Sequence, residues 1–102
     1  MTVAQIDIPE AQITDFCRRN GIRKLAFFGS VLTERFSDSS DVDVLVEFRT
    51  GERVGYFRLA DMEDELSRLL GGRKVDLRTP MDLSRHFRDE VVRTALVAYA
   101  EP

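Results

Sequence analysis

Two short apolar runs joined by a glycine turn and a polar loop constrain the fold of this chain most. Residues 27–48 read FFGSVLTERFSDSSDVDVLVEF. The first run, 25–28, is short and aromatic and stops at Gly29, which favours a buried strand over a helix. The second run, 42–48, alternates as a half-buried strand does, with the valines and Phe48 on one side and Asp43, Leu45 and Glu47 on the other.

The rest of the chain predicts helices and one further strand around these two. Apolar residues at helical spacing predict a helix between Pro9 and Gly21 and another over roughly 55–70. The other predicted elements are one or two helical turns at 31–36 with Ser30 as N-cap, a strand at 73–79, and a last helical region capped by Asp82, in which Phe87, Val91, Ala95 and Tyr99 recur every four residues. This order predicts an α/β or α+β fold, with a short sheet covered by helices.

Composition limits the class of protein. A chain of 102 residues, 43% hydrophobic and 32% charged, predicts one small globular domain over residues 1–102. The net charge of −3 argues against a broad nucleic-acid surface. The single cysteine, Cys17, excludes an internal disulfide and fits a reducing compartment. Because no apolar run could span a membrane and the first ten residues lack a secretory pattern, we expect a cytoplasmic protein without a membrane partner.

The two strands predict a site for divalent metal and phosphate. Asp41 and Asp43 are two residues apart, so their carboxylates project from one face with Cα atoms about 7 Å apart. They repel each other unless a proton or a cation intervenes, and Mg²⁺ prefers such oxygen ligands. Asp76 adds a third acid if its strand lies alongside, as a two-metal transfer site requires. Gly29 lets the backbone approach phosphates closely, and Ser30 adds a hydroxyl donor beside the start of the next helix.

Other interpretations of the polar residues remain open or fail. Asp76 could simply accept backbone hydrogen bonds, and Arg78 on the same strand face could contact phosphate or form a surface ion pair. The acids of 61–65 are interpreted as a solvated helix face. Calcium-loop, Walker and zinc patterns do not match. His86 is expected at the surface, and Cys17 is expected to be a packed thiol.

On these residues the chain resembles the minimal nucleotidyltransferases of the polymerase-beta superfamily. Their signature is a Gly-Ser turn, a spacer of ten residues in this chain, then Asp-x-Asp on a strand and a third Asp on a neighbouring strand. The matching positions are Gly29, Ser30, Asp41, Asp43 and Asp76. The resemblance also covers KVDLRTP and the closing segment LSRHFRDEVVRTALVAYA.

The resemblance implies an adenylyltransferase that uses ATP and two Mg²⁺ ions. Asp41 and Asp43 would then bind both metals, and Asp76 would help bind one metal and activate the acceptor hydroxyl. Gly29 and Ser30 would hold the β- and γ-phosphates. Val31 departs from many relatives, which have a basic residue after the serine.

In its short length the chain resembles the antitoxin-type branch of this family, and this resemblance implies a partner protein. That partner would be a HEPN-family ribonuclease toxin, neutralised in a hetero-oligomer by transfer of AMP to a tyrosine. The alternative is an antitoxin that neutralises the toxin by binding, through an apolar surface with Leu96, Val97 and Tyr99 on the C-terminal helix. Transfer to a small molecule is a weaker third hypothesis, because no acceptor-binding domain is recognised.

Overall fold

The computed structural model describes residues 2–3 and 6–102. Its strands are β1 (Thr2–Val3), β2 (Ile6–Asp7), β3 (Ile22–Phe28), β4 (Val42–Phe48), β5 (Val75–Arg78) and β6 (Leu96–Ala100). Its helices are α1 (Glu10–Arg19), α2 (Tyr56–Leu69) and α3 (Arg88–Thr94), with 3₁₀ turns at Gly29–Leu32 and Pro80–Asp82. No helix in this described part is long and apolar enough to cross a membrane.

A four-stranded mixed sheet in the order β5-β4-β3-β6 organises the molecule, and β1 and β2 form a separate two-stranded pair. β4 runs parallel to β5 and antiparallel to β3, which also pairs antiparallel with β6. The short mixed sheet with helices agrees with the predicted fold class. The strands predicted from apolar runs and alternation are all present, with β3 longer and β5 shorter than expected.

One face of the sheet forms the core with α1 and α2. The valines at 42, 44 and 46 on β4 are buried in one cluster with Phe16 of α1 and Leu66 of α2. Burying a side chain of this size stabilises the fold by about 1.5–3 kcal/mol. The opposite face of β4 carries Asp43 and Glu47, which are only half-buried. The Asp43 and Glu47 carboxylates therefore remain partly accessible on the face of β4 opposite the core.

The predicted helix at the C-terminus is wrong at its start and in its second half. Asp82 belongs to the 3₁₀ turn Pro80–Asp82 and does not cap α3, which begins at Arg88. α3 ends at Thr94, and Leu96–Ala100 form β6 instead. Without β6, the outer edge of β3 would expose a row of unpaired N–H and C=O groups. Pairing such as Phe27 with Leu96 satisfies that edge. A tertiary partner thus overrides the four-residue periodicity, and the apolar surface predicted at Leu96 and Val97 lies on a strand.

The helical turns predicted at 31–36 are also wrong. Only Gly29–Leu32 form a 3₁₀ turn, and the backbone is extended at Thr33. The Thr33 backbone N–H and hydroxyl both donate to the Ser30 carbonyl at 2.9 Å. These bonds end the helical geometry after a single 3₁₀ turn. Ser30 is therefore inside the turn and is not its N-cap.

Candidate active site

The register of three strands gathers the predicted residues at one end of the sheet. Phe28, the last residue of β3, pairs with Asp43, and Asp43 pairs with Asp76 on the parallel strand β5. Residues opposite each other in a sheet project from the same face. The carboxylates of Asp43 and Asp76 therefore belong to one face, and the Gly29-Ser30 turn follows directly at its β3 side.

Asp41 lies immediately before β4, at the same end of the sheet. Its side chain is more exposed than that of Asp43, and one carboxylate oxygen is 3.9 Å from Nζ of Lys74. The backbone N–H of Val42 donates to the Lys74 carbonyl at 2.8 Å, which fixes the start of β4 beside β5. The three acids thus come from two neighbouring strand ends.

Gly29 is in contact with the central acid. Its φ of +76° is in the left-handed region, and a Cβ atom placed on it would lie 2.4 Å from Oδ2 of Asp43. Only glycine combines this φ with such a close approach at little cost. The position links the expected phosphate-binding turn directly to the expected metal ligand.

The Asp43 carboxylate lies close to two other negative charges. Burial raises the pKa of Asp43 above its ordinary value, and the charges of Asp76 and Asp41 raise it further, while Arg78 opposes them. A carboxylate surrounded in this way favours either a proton or a cation. This electrostatic environment and the all-oxygen donor set fit Mg²⁺, which Asp41, Asp43 and Asp76 would hold.

Asp76 is engaged elsewhere in this conformation. It pairs with Arg78, with the closest contact 3.2 Å between Nη2 and Oδ2. Among the residues that the structure describes, no three acidic, histidine or cysteine side chains stand close enough to hold one ion. Of the two roles left open for Arg78, the ion pair is therefore the one observed.

A cleft of about 470 Å³ opens on the β5 side of the acids. Its lining includes Tyr56, Leu59, Glu63, Asp76, Arg78 and Asp82. The Glu63 carboxylate accepts a 2.8 Å hydrogen bond from the Leu77 backbone N–H, so the expectation of a wholly solvated acidic face on α2 is wrong at this residue. Asp82 accepts hydrogen bonds from both the N–H and the hydroxyl of Thr79. Both acids thus stabilise the fold, and the remaining cleft carboxylate, Asp76, is the one that lies opposite Asp43.

The sequence interpretation missed this cleft. Tyr56 and Phe57, at the start of α2, are 92% and 91% exposed. Two adjacent aromatic residues that the apolar stripe of the predicted helix leaves out, of which Tyr56 lines the cleft, are the sequence signal that could have indicated it. The helix-dipole contribution expected after Gly29 is also reduced, because a single 3₁₀ turn follows it. Individual N–H groups and the Ser30 hydroxyl must supply most of any phosphate contact.

A protein family and several relatives match most of this chain. A family profile described as a nucleotidyltransferase domain matches residues 10–99. A candidate protein adenylyltransferase of Methanocaldococcus jannaschii is 30% identical over 78 residues, covering 76% of this chain and 81% of the relative. The protein adenylyltransferase MntA of Thermococcus cleftensis is 28% identical over 97 residues, covering 94% of this chain and 91% of the relative.

Solved structures give the same result for the fold. A candidate minimal nucleotidyltransferase superposes with a TM-score of 0.69 at 30% identity, covering 85% of this chain and 86% of that chain. A toxin–antitoxin structure with AMP-PNP superposes with a TM-score of 0.71 at 19% identity, covering 91% and 74% of the two chains. The second likeness concerns the fold alone.

Proposed function

Since the chain belongs to the nucleotidyltransferase domain family, and is therefore a nucleotidyltransferase, we propose that it is an antitoxin-type protein adenylyltransferase. It transfers AMP from ATP, in the presence of Mg²⁺, to a hydroxyl of a partner protein. The partner is a HEPN-family ribonuclease toxin, the acceptor is a tyrosine, and the modification neutralises the toxin. Residues 1–102 act as one catalytic domain within a hetero-oligomer. The adenylyltransferase names of its relatives support the reaction class.

The observation that carries this proposal is the register of the acids beside the glycine turn. Asp43 stands between Phe28 and Asp76 on adjacent strands, and Gly29 abuts its carboxylate. Because β4 lies between β3 and β5, the phosphate-binding turn and the third acid are on opposite sides of Asp43. In-line transfer needs this separation, with the leaving group on one side and the acceptor on the other.

Each group then has a distinct role. Two bound Mg²⁺ ions would neutralise the developing charge on the phosphates and polarise the α-phosphate. Asp41 and Asp43 would hold both ions, and Asp76 would help to hold one of them. Gly29 and Ser30 hold the β- and γ-phosphates. The acceptor oxygen forms a bond to the α-phosphorus as its proton passes to Asp76, and the bond to pyrophosphate breaks.

The exposed surface beside Asp76 supports a protein acceptor. The cleft lies on the acceptor side, and Tyr56 on its wall is almost fully exposed, with Phe57 next to it. An aromatic surface of this kind favours contact with another apolar surface, because exposed rings gain most from burial. The relatives named protein adenylyltransferases support the same kind of acceptor.

Mass spectrometry tests the proposal. The protein is incubated with ATP, Mg²⁺ and the product of the neighbouring gene, and we expect that product to gain one AMP on tyrosine. Asp43→Asn should abolish the gain. Asp61→Asn, an exposed aspartate of α2, is the matched control and should leave it unchanged. If no modification appears with any of the four ribonucleotides while the toxin in the complex is still inhibited, the enzymatic role is excluded.

Neutralisation by binding is the second candidate function. Leu96 and Val97 on the edge strand β6 are 40% and 43% exposed, which offers a partner both apolar side chains and a strand edge. The double variant Asp41→Asn/Asp43→Asn separates the two functions in a growth assay with the toxin. An enzyme should lose protection in this variant, whereas a binding antitoxin should retain it.

A further inference from the structure

Arg78 and Asp76 form a two-point ion pair on one face of β5. Nε of Arg78 lies 3.3 Å from each Asp76 oxygen, and Nη2 lies 3.2 Å from Oδ2. The residues are two apart on the strand, so their side chains project from the same face. Both oxygens of the third acid are thus occupied by one guanidinium.

The pair has a consequence for the acidic row. Asp43 and Asp76 are directly opposite each other. In the described ranges, however, no three potential ligand side chains lie close enough together to bind one ion. The charge of Arg78 also opposes the repulsion that Asp76 and Asp41 exert on Asp43. A positive charge from the protein therefore already pairs with a carboxylate that the proposed chemistry assigns to a metal ion.

We infer that Arg78 is a built-in counter-ion that holds Asp76 in the metal-free protein and releases it when a divalent cation binds. Arg78 is a positioning residue in this scheme, acting through Asp76. The inference rests on the proposed function, because it requires metal at Asp41, Asp43 and Asp76. It assigns to this arginine a role in setting metal affinity.

The exchange is energetically accessible. The Arg78 side chain is 46% exposed and that of Asp76 is 35% exposed, so solvent weakens their attraction. An ion pair of this exposure typically changes an equilibrium about two- to fivefold, which a divalent cation can overcome. The arginine also lines the cleft, so after release it remains on the acceptor side of the site.

Isothermal titration of the whole chain with Mn²⁺, which takes the same oxygen ligands as Mg²⁺, tests the exchange. We expect Arg78→Gln to bind Mn²⁺ about two- to fivefold more tightly than the natural protein, because Asp76 no longer has a competitor. Arg78→Lys keeps the charge without the planar fork and should give an intermediate affinity. Arg68→Gln removes the same charge from an exposed position on α2 and should leave the affinity unchanged.

Thermal melting separates this role from a purely structural one. Arg78→Gln should lower the melting temperature in EDTA, where the acids lose their counter-ion, but not in saturating Mn²⁺. A structural residue would lower it equally in both. If the natural protein and Arg78→Gln bind Mn²⁺ equally, the inference fails and the metal site stands. If neither binds Mn²⁺, the inference fails together with the proposed metal chemistry.

Discussion

Gly29→Ala should disable the site at a modest cost in stability. The added methyl group meets two obstacles: a φ of +76°, and Oδ2 of Asp43 at 2.4 Å. The left-handed backbone costs about 1–2 kcal/mol for a residue with a Cβ atom. The second contact is with the end of a flexible side chain, which can rotate away. We therefore expect the free energy of unfolding to fall by only about 1–2 kcal/mol.

The displaced carboxylate should be evident in metal binding. Moving one of the proposed charged ligands should weaken Mn²⁺ affinity at least about tenfold, since disturbing even the outer shell of a metal site commonly costs that much. Titration without nucleotide isolates this effect from any loss of phosphate contact.

Gly51→Ala is the matched control for this experiment. Gly51 has a φ of +90° and nothing within 4 Å of its virtual Cβ atom, so it has comparable backbone strain without touching the site. It should lose similar stability, measured by urea denaturation, and keep full Mn²⁺ affinity. Equal Mn²⁺ affinity in the two variants would refute the argument that Gly29 positions Asp43.

Three further predictions concern a half-buried charge, a buried thiol and a hydrogen bond to the backbone of β5. Burial and two neighbouring carboxylates raise the pKa of Asp43 above 3.8, so the folded protein loses stability as the pH rises through that pKa. In EDTA at pH 7, Asp43→Asn should therefore have a higher melting temperature than the natural protein. The increase should be smaller near pH 4, and Asp61→Asn should show no such increase. Burial, followed by the charge of Glu101, raises the pKa of Cys17 to about 12, so iodoacetamide should label the unfolded chain at pH 8 and spare the native one. Glu63→Ala removes the acceptor of the Leu77 N–H and should lower the free energy of unfolding by about 1–3 kcal/mol in urea titration; an unchanged midpoint would contradict that role.

The sequence predicted the central part of the fold because its signals are local. Alternation over 42–48 predicted β4 and the projection of Asp43 from its outer face, and helical spacing predicted α1 and α2 close to their observed limits. Cys17 is buried and His86 is exposed, as expected. These outcomes depend on the order of apolar and polar residues within one element, which the chain itself specifies.

Several functional details depended on pairing between distant parts of the chain. Spacing alone left Arg78 with two equal roles, and only the side-chain contact selected the ion pair with Asp76. Glu63 looked solvated in the helix pattern, but the parallel strand β5 brings the Leu77 N–H to it. The cleft arises between α2 and β5, so neither element predicts it separately.

By itself the sequence determined the residue types of the candidate site and the strands that carry them, since periodicity and turn chemistry depend on neighbouring residues. The tertiary structure decided which strand edges are paired and which charged side chains form ion pairs. Leu96–Ala100 became a strand because β3 had an edge to complete, and Gly29 came against Asp43 because antiparallel pairing placed Phe28 opposite it. Such contacts form between segments far apart in the chain, where local patterns carry no information about distance.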